Sequence, residues 1–177
     1  MIHISNRKTR RLMIAAVCAA LCVVLPMAFH MIPNAGSMLL PMHIPVLLCG
    51  FVCGWPFGLA CGLLGPVISS LLTGMPPAAV LPGMACELMV YGLVTGLLYR
   101  RVKTGRRIWN VYITLLTAMI CGRICSGVLN AAIFRAGAYS LEIWLAASFT
   151  TALPGIVIQL VVIPILLAAL EKSRLTA

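Results

Sequence analysis

Residues 36–77 decide the fold of this chain, and they read GSMLLPMHIPVLLCGFVCGWPFGLACGLLGPVISSLLTGMPP. The stretch holds 7 of the 15 glycines and 6 of the 11 prolines, but no Asp, Glu, Lys or Arg. A soluble domain would aggregate through so apolar a surface, and a simple membrane anchor does not need so many glycines and prolines. The stretch therefore predicts two short, closely packed membrane helices that end in shaped loops, where membrane proteins tend to place binding sites.

The composition of the whole chain extends this prediction. Of the 177 residues, 62% are hydrophobic and 9% are charged, whereas soluble domains carry roughly 25% charged residues. Because a helix needs about 20 apolar residues to cross a bilayer, the chain has room for about six spans and for no separate soluble domain. We predict an all-α integral membrane protein in which residues 1–177 form a single domain.

Apolar runs and breakers place the predicted spans. Span 1 is interpreted as a retained helix, since its apolar run is longer than the roughly 7–15 residues of a signal peptide. Residues 26–40 are predicted as a loop, and Gly54-Trp55-Pro56 as a tight turn. Spans 1 to 6 are predicted over residues 12–29, 40–52, 57–72, 83–99, 108–134 and 141–170.

The net charge of +10 reflects topology rather than nucleic-acid binding. Eleven of the 13 cations flank apolar runs, in the N-terminal segment, in residues 100–107 and at the C-terminus. Six spans put these three segments on one side, and the positive-inside rule makes that side cytoplasmic. The sequence predicts cytoplasmic termini in a multi-pass protein of the plasma membrane, with no nucleic-acid partner.

Small residues recur at helical spacing in three places. Eight cysteines lie inside apolar runs, and three pairs of them are spaced i, i+4, which favours packing as small hydrophobes over a soft-metal site. Gly50, Gly54, Gly58 and Gly62 predict close packing within the bundle. Ala15, Ala16, Ala19 and Ala20 form two overlapping small-residue pairs on span 1, and either an external partner helix or the bundle itself would suit them.

Ionisable residues at membrane depth are the strongest functional signal. They are His43 in span 2, Glu87 in span 4 and Arg123 in span 5, and a charge at that depth costs several kcal/mol. Glu87 and Arg123 lie within about one helical turn of the same depth, so an ion pair between them is predicted. The pair either locks two helices together or faces a ligand.

Further polar residues gather toward the outer side of the predicted bundle. Their convergence from several spans on one membrane side predicts a binding site near the outer surface, and Gln159 belongs either to it or to helix packing. Trp144 is interpreted as an interfacial anchor. The candidate ligand-binding residues are Asn34, His43, Ser70, Thr73, Glu87, Tyr91, Arg123 and Asn130.

Several motifs together resemble a known family. They are the alanine face of span 1, the core Leu40-Pro41-Met42-His43-Ile44-Pro45-Val46, and the run from Gly65-Pro66 through Ser69-Ser70 to Met75-Pro76. With the six-span layout, they make the chain similar to the substrate-binding S-components of energy-coupling factor (ECF) vitamin transporters, in the broad group that includes pantothenate S-components.

The resemblance implies a division of labour between subunits. S-components bind a vitamin or cofactor precursor from outside and dock, through the small-residue face of span 1, on a membrane coupling protein that carries two ATPases. ATP would be hydrolysed by those partners, which agrees with the absence of aspartate and of a GxxxxGK[ST] loop in this chain. No cofactor, catalytic residue or metal is expected in the chain itself.

A pantothenate-like ligand is favoured at this point, and several alternatives stay open. Arg123 would suit a carboxylate such as pantothenate, whereas neutralisation by Glu87 would suit pyridoxine or a hydroxymethylpyrimidine, and folate is a further alternative. A cobalt or nickel S-component is less favoured, because Met42-His43-Ile44 is internal and offers no free amine. The rivals from other classes are an intramembrane enzyme, for which no HExxH-like set exists, and a scaffold.

Overall fold

The computed structural model describes residues 2–29, 35–134 and 140–173. Within these ranges, six helical stretches are long and apolar enough to cross a membrane, as predicted. The chain is a six-span membrane protein whose basic ends lie on the cytoplasmic side. Its helices are α1 (Ile2–Ala28), α2 (Ala35–Leu39), α3 (His43–Cys53), α4 (Trp55–Thr73), α5 (Leu81–Leu98), α6 (Arg107–Leu129), α7 (Leu141–Leu145) and α8 (Leu153–Lys172).

The first part of the chain is more helical than predicted. Helix α1 begins at Ile2, ten residues before the predicted start of span 1, because the basic segment contains good helix formers and no breaker. The predicted loop over residues 26–40 is also partly wrong, since α1 runs through Pro26 to Ala28 and α2 is helical. Residues 30–34 of that loop lie outside the described residues.

A sharp turn between α2 and α3 positions His43. Leu40 adopts a left-handed backbone conformation with φ of 51°, and it precedes Pro41, which disfavours right-handed helix at that point. The chain re-enters a helix at once, and the His43 N–H donates to the Leu40 carbonyl at 3.1 Å. His43 is therefore the first residue of α3, at the outer end of a buried helix.

Span 6 is not one helix, which corrects the prediction over residues 141–170. The short α7 continues into a π-helical turn, Ala146–Thr151, before α8 starts at Leu153. Pro154 explains the break, because it lacks an N–H and its ring would clash with the carbonyl four residues earlier. Span 5 likewise ends in a π-helical turn, Asn130–Phe134, after α6.

The centre of the bundle is the α3–α4 hairpin packed on α5. Gly54 turns the chain between α3 and α4 with φ of 93°, a conformation that favours glycine. Gly58 of α4 packs on Gly92 of α5 so closely that an added Cβ would lie 2.8 Å from the Gly92 carbonyl carbon. Gly50 and Gly62 also pack on the α5 backbone, so the prediction that these glycines pack within the bundle is confirmed.

The cysteines contribute to the same core. Five of the eight are buried, on α1, α3 and α4, where they pack with apolar neighbours such as Val46 and Leu47. Two of them also donate to backbone carbonyls, Cys22 to Met42 at 3.8 Å and Cys53 to Arg11 at 3.4 Å. These contacts fit the predicted role of cysteine as a small hydrophobe. The five are Cys18, Cys22, Cys49, Cys53 and Cys61.

The basic segments meet at one end of the bundle, as the span count requires. Arg107 at the start of α6 forms an ion pair with Glu171 near the end of α8, and its guanidinium donates to the Leu167 carbonyl at 3.5 Å. The guanidinium of Arg100 lies against Gly54, in the turn between α3 and α4. The cytoplasmic end is thus tied together by contacts among segments distant in sequence.

Candidate ligand-binding site

Glu87 is the centre of a polar cluster in the outer half of the bundle. It lies six residues into α5, about 9 Å from the outer end of that helix. Tyr91 is one turn deeper on the same face, and its hydroxyl donates to Glu87 Oε1 at 2.9 Å. Tyr91 is fully buried, whereas the Glu87 side chain is 18% exposed, so the carboxylate lies at the accessible edge of the cluster.

Two further side chains approach the same carboxylate oxygen from other helices. Arg123 Nε of α6 lies 4.0 Å from Glu87 Oε1, which confirms the predicted ion pair. His43 Nε2 of α3 is closer, at 3.6 Å, a distance too long for a hydrogen bond. The sequence identified His43 as a candidate but did not predict its contact with Glu87.

The imidazole of His43 also packs on the Tyr91 ring. The two ring centroids are 5.3 Å apart, and the rings meet edge to face at 68°. Both side chains are at most 2% exposed. Tyr91 therefore orients the carboxylate through its hydroxyl and supports the imidazole through its ring.

Gln159 brings a fourth long helix to this depth. On α8, Gly155 packs on α2 so closely that an added Cβ would lie 2.7 Å from the Met38 carbonyl oxygen. Gln159 is one turn further into the bundle than Gly155, on the same face of α8. His43 likewise lies further into the bundle than Leu40, at the start of α3, and α3 contacts α8. Gln159 is fully buried, and this register puts it near the depth of His43, which fits a place beside the cluster as well as one in helix packing.

Several buried polar atoms of this cluster have no hydrogen-bond partner among the described residues. They are both ring nitrogens of His43, Nη2 of Arg123 and both amide atoms of Gln159. Each unsatisfied buried group costs about 1–3 kcal/mol, and native structures contain few of them. Five such atoms lie on these three side chains, which makes the region a candidate binding site, and two more, Ser69 Oγ and Thr114 Oγ1, lie elsewhere.

Aromatic residues of the α7 region cover the outer side of Arg123. The guanidinium carbon lies 5.7 Å from the centre of the Phe149 ring, which belongs to the π-helical turn after α7. The Trp144 indole N–H donates to the Arg123 backbone carbonyl at 3.1 Å and packs on Gly127. Trp144 is half-buried against α6, so the prediction of an interfacial anchor misses its contacts with Arg123 and Gly127.

Asn130 lies apart from Glu87 and joins α6 to the start of α5. Its amide nitrogen donates to Ser126 Oγ at 3.4 Å, and the Ser126 hydroxyl donates to the Gly83 carbonyl at 3.0 Å. Asn130 also packs directly on Gly83. Sequence reasoning missed Ser126, and its small size within an apolar run gave no signal.

Ser70 and Thr73 shape the loop after α4. The Ser70 hydroxyl donates to the Pro76 carbonyl at 2.8 Å, and the Thr73 hydroxyl donates to the Ser69 carbonyl at 2.7 Å. Thr73 Oγ1 in turn accepts from the Met75 N–H at 3.2 Å. The structure therefore does not bring these two hydroxyls to Glu87, and their role in ligand binding stays a prediction. Asn34, the remaining candidate, lies outside the described residues.

Two grooves of the described bundle lie elsewhere. One of about 300 Å³ lies between α6 and α7 and is lined by Ile124, Gly127, Val128, Ala131, Ser140, Leu141 and Trp144. Another of about 220 Å³ lies between α6 and α8 near the cytoplasmic end. Neither is lined by His43, Glu87 or Arg123.

The alanines of α1 divide into two stripes. Ala15 and Ala19 are half-buried and pack on the core beside Cys18 and Cys22. Ala16 and Ala20 are exposed on the far side, among exposed apolar residues such as Val17 and Val24. The external-partner prediction thus fits the Ala16/Ala20 stripe better than the Ala15/Ala19 stripe.

Comparison with known proteins gives one match. The family model described as "ECF transporter, substrate-specific component" matches residues 10–167. No curated protein and no solved structure matches the chain at a significant level. The matched residues include all five members of the polar cluster, His43, Glu87, Tyr91, Arg123 and Gln159.

Proposed function

The chain belongs to the substrate-specific components of ECF transporters, and from that premise we propose that it captures a vitamin or cofactor precursor from outside the cell. The family is one of membrane transport subunits and not of enzymes. The polar cluster is accordingly a binding site, with no reaction assigned to its residues. Pantothenate, pyridoxine, a hydroxymethylpyrimidine and folate are the candidate cargoes.

One observation carries this proposal. Helices α3, α5, α6 and α8 each carry a long polar or ionisable side chain in the outer half of the bundle, and three of those side chains are buried with unpartnered atoms. A purely structural cluster would pair its groups with one another. A ligand that brings its own donors and acceptors would satisfy them instead.

Capture requires the cluster to open toward the outside. Helix α8 is among the least buried spans, and it contacts its neighbours far less than α4 contacts α5. The α7 region reaches Arg123 mainly through Trp144 and Phe149. We infer that α7 and α8 move away from α3 and α6 when the ligand enters, because fewer contacts must break there than between α4 and α5.

Delivery to the cytoplasm would use the partners of the family. ECF substrate-specific components work with a coupling protein and ATPase subunits, and we propose that the exposed Ala16/Ala20 stripe of α1 docks on the coupling protein. Small residues allow a partner helix to approach closely within lipid. The ATPase subunits would supply the energy, since this chain has no phosphate-binding loop.

A thermal-shift screen of the purified chain in detergent tests the proposal. A ligand at about 100 times its Kd adds about 2.7 kcal/mol to the free energy of unfolding, so a true cargo among the B-vitamins and their precursors should raise the melting temperature clearly. The matched control is Gln159→Leu, a replacement of similar size that removes the amide at the cluster. The same rise in wild type and in this variant would contradict binding at the cluster.

A further inference from the structure

We propose that the site selects an uncharged ligand with neighbouring hydrogen-bond donor and acceptor groups, such as a carboxamide or the edge of a pyrimidine or pyridine ring. This inference rests on the proposed function and names the substrate class of the same site. It follows from two features of the cluster. The first is the balance of charge around Glu87, and the second is the set of polar atoms left without partners.

The Glu87 carboxylate already has a cationic partner, and the imidazole of His43 lies 3.6 Å from the same carboxylate oxygen. Arg123, the one cation the described bundle buries, faces Glu87 at 4.0 Å. No second arginine or lysine of the described spans lies at this depth, since the others cluster at the cytoplasmic end. A ligand carboxylate would enter beside the Glu87 carboxylate, in surroundings where like charges repel strongly. Arg123 alone had suggested an anionic ligand, but with Glu87 beside it the site favours a neutral one.

The unpartnered atoms favour a ligand that has both hydrogen-bond donors and hydrogen-bond acceptors. Arg123 Nη2 and Gln159 Nε2 are donors, whereas Gln159 Oε1 is an acceptor. The two ring nitrogens of His43 also lack a hydrogen-bond partner among the described residues. A carboxylate accepts only, so it would leave the acceptors unsatisfied. A group that donates and accepts side by side would satisfy both kinds, and the Gln159 amide is the natural counterpart of such a group.

Aromatic contacts fit the same class of ligand. The rings of Tyr91 and His43 meet on one side of Glu87 at a centroid distance of 5.3 Å. Phe149 packs on the Arg123 guanidinium. The Trp144 ring meets the Phe149 ring edge to face, with 5.7 Å between the ring centroids. Flat aromatic groups therefore flank the two charged residues, and a flat heteroaromatic ligand would pack well between them.

Matched ligand pairs test this inference on the purified full-length chain. The pairs are nicotinamide and nicotinate, pyridoxine and 4-pyridoxate, and pantothenol and pantothenate. In each pair the second member carries a carboxylate where the first carries a neutral carboxamide or hydroxymethyl group. We expect wild type to bind the neutral member of at least one pair, and to bind its charged counterpart about tenfold more weakly or worse. Isothermal titration calorimetry and thermal shift give the two affinities.

The variant Glu87→Gln tests whether the charge of Glu87 sets the preference for a neutral ligand. It leaves Arg123 without its counter-charge, so the preference should reverse toward the carboxylate member of the same pair. The matched control is Glu142→Gln, which removes a carboxylate from the exposed surface of α7 and should leave the preference unchanged. Unliganded melting curves show whether each variant is folded, and the wild-type comparison stands even if Glu87→Gln does not fold.

The experiments distinguish a failure of the neutral-ligand inference from a failure of the proposed function. Tighter binding of a carboxylate member by wild type would overturn the neutral-ligand inference and leave the substrate-capturing function intact. A Glu87→Gln variant that folds but keeps the wild-type preference would overturn it as well. If neither the pairs nor any B-vitamin or precursor of the thermal-shift screen binds at millimolar concentration, the proposed vitamin-binding function fails, and the inference fails with it.

Discussion

The α4–α5 interface and the α7–α8 side of the bundle differ in how closely their helices pack. At the first, glycines bring two backbones into direct contact, and Gly58 and Gly92 leave no room even for a methyl group. At the second, α8 contacts its neighbours sparsely, one π-helical turn follows α6, and another precedes α8. The polar cluster lies between the two regions, with Glu87 and Tyr91 on α5 and Gln159 on α8.

The difference in packing bears on the movement proposed for ligand entry. A glycine-lined interface has many contacts to lose and no alternative packing, so it holds Glu87 and Tyr91 at fixed positions. The α7–α8 side has few contacts to lose, which is typical of elements that move on ligand binding. π-helical turns are rare and frequent at functional sites. If the cluster binds the ligand as proposed, the α5 side of the site is preformed and the α7–α8 side closes on the ligand.

The largest expected effect comes from breaking the charge balance at the boundary between these regions. Arg123→Met leaves Glu87 without its guanidinium, and removing one partner of a buried pair costs about 3–5 kcal/mol. We expect the melting temperature of the unliganded chain to fall sharply. Differential scanning fluorimetry in detergent measures this fall.

The control for this variant is the double replacement Glu87→Gln with Arg123→Met. Because both charges are then absent, the double variant should be more stable than Arg123→Met alone, and the two effects should not add. Additive losses would mean that the two residues do not form a stabilising pair.

A smaller effect is expected from crowding the fixed half. In Gly58→Ala the new methyl group would meet backbone atoms of Gly92, which cannot move as a side chain can, and such overpacking typically costs about 1–3 kcal/mol. Gly36→Ala is the matched control, since an added Cβ at Gly36 meets no atom within 4 Å. Equal melting temperatures for the two variants would remove the basis for calling this interface the rigid frame.

The fixed half was largely predictable from sequence, and the reason is physical. Gly50, Gly58 and Gly62 recur every four or eight residues in a run without charge, and such spacing has one common use in lipid. The Glu87–Arg123 pair was predictable too, because depth along a helix follows directly from residue count. Both predictions depend on distance along a helix, which sequence encodes well.

The other half was harder to predict, since its features depend on how helices are rotated about their axes. The contact of His43 with Glu87 requires the turn at Leu40 and Pro41 to set the rotation of α3, and no sequence pattern states that rotation. Gln159 lies in a helix that is apolar on every side, so periodicity cannot say which face is buried. Pro154 did mark the true start of α8, but the long apolar run concealed it.

The smallest effect on stability, and the most specific one on function, is expected at the outer face of α1. Ala16→Leu with Ala20→Leu enlarges two exposed side chains that touch nothing in the core, so melting temperature and ligand affinity should both stay at wild-type values. Uptake in cells that also express the coupling protein and the ATPases should fall at least about tenfold, because the partner helix can no longer approach closely.

Ala15→Leu with Ala19→Leu is the matched comparison, since these half-buried residues pack on the core and their enlargement should lower the melting temperature by overpacking. Normal uptake by the Ala16/Ala20 variant would place the docking surface elsewhere, and a lowered melting temperature in that variant would mean that α1 is packed more deeply than its exposed face indicates.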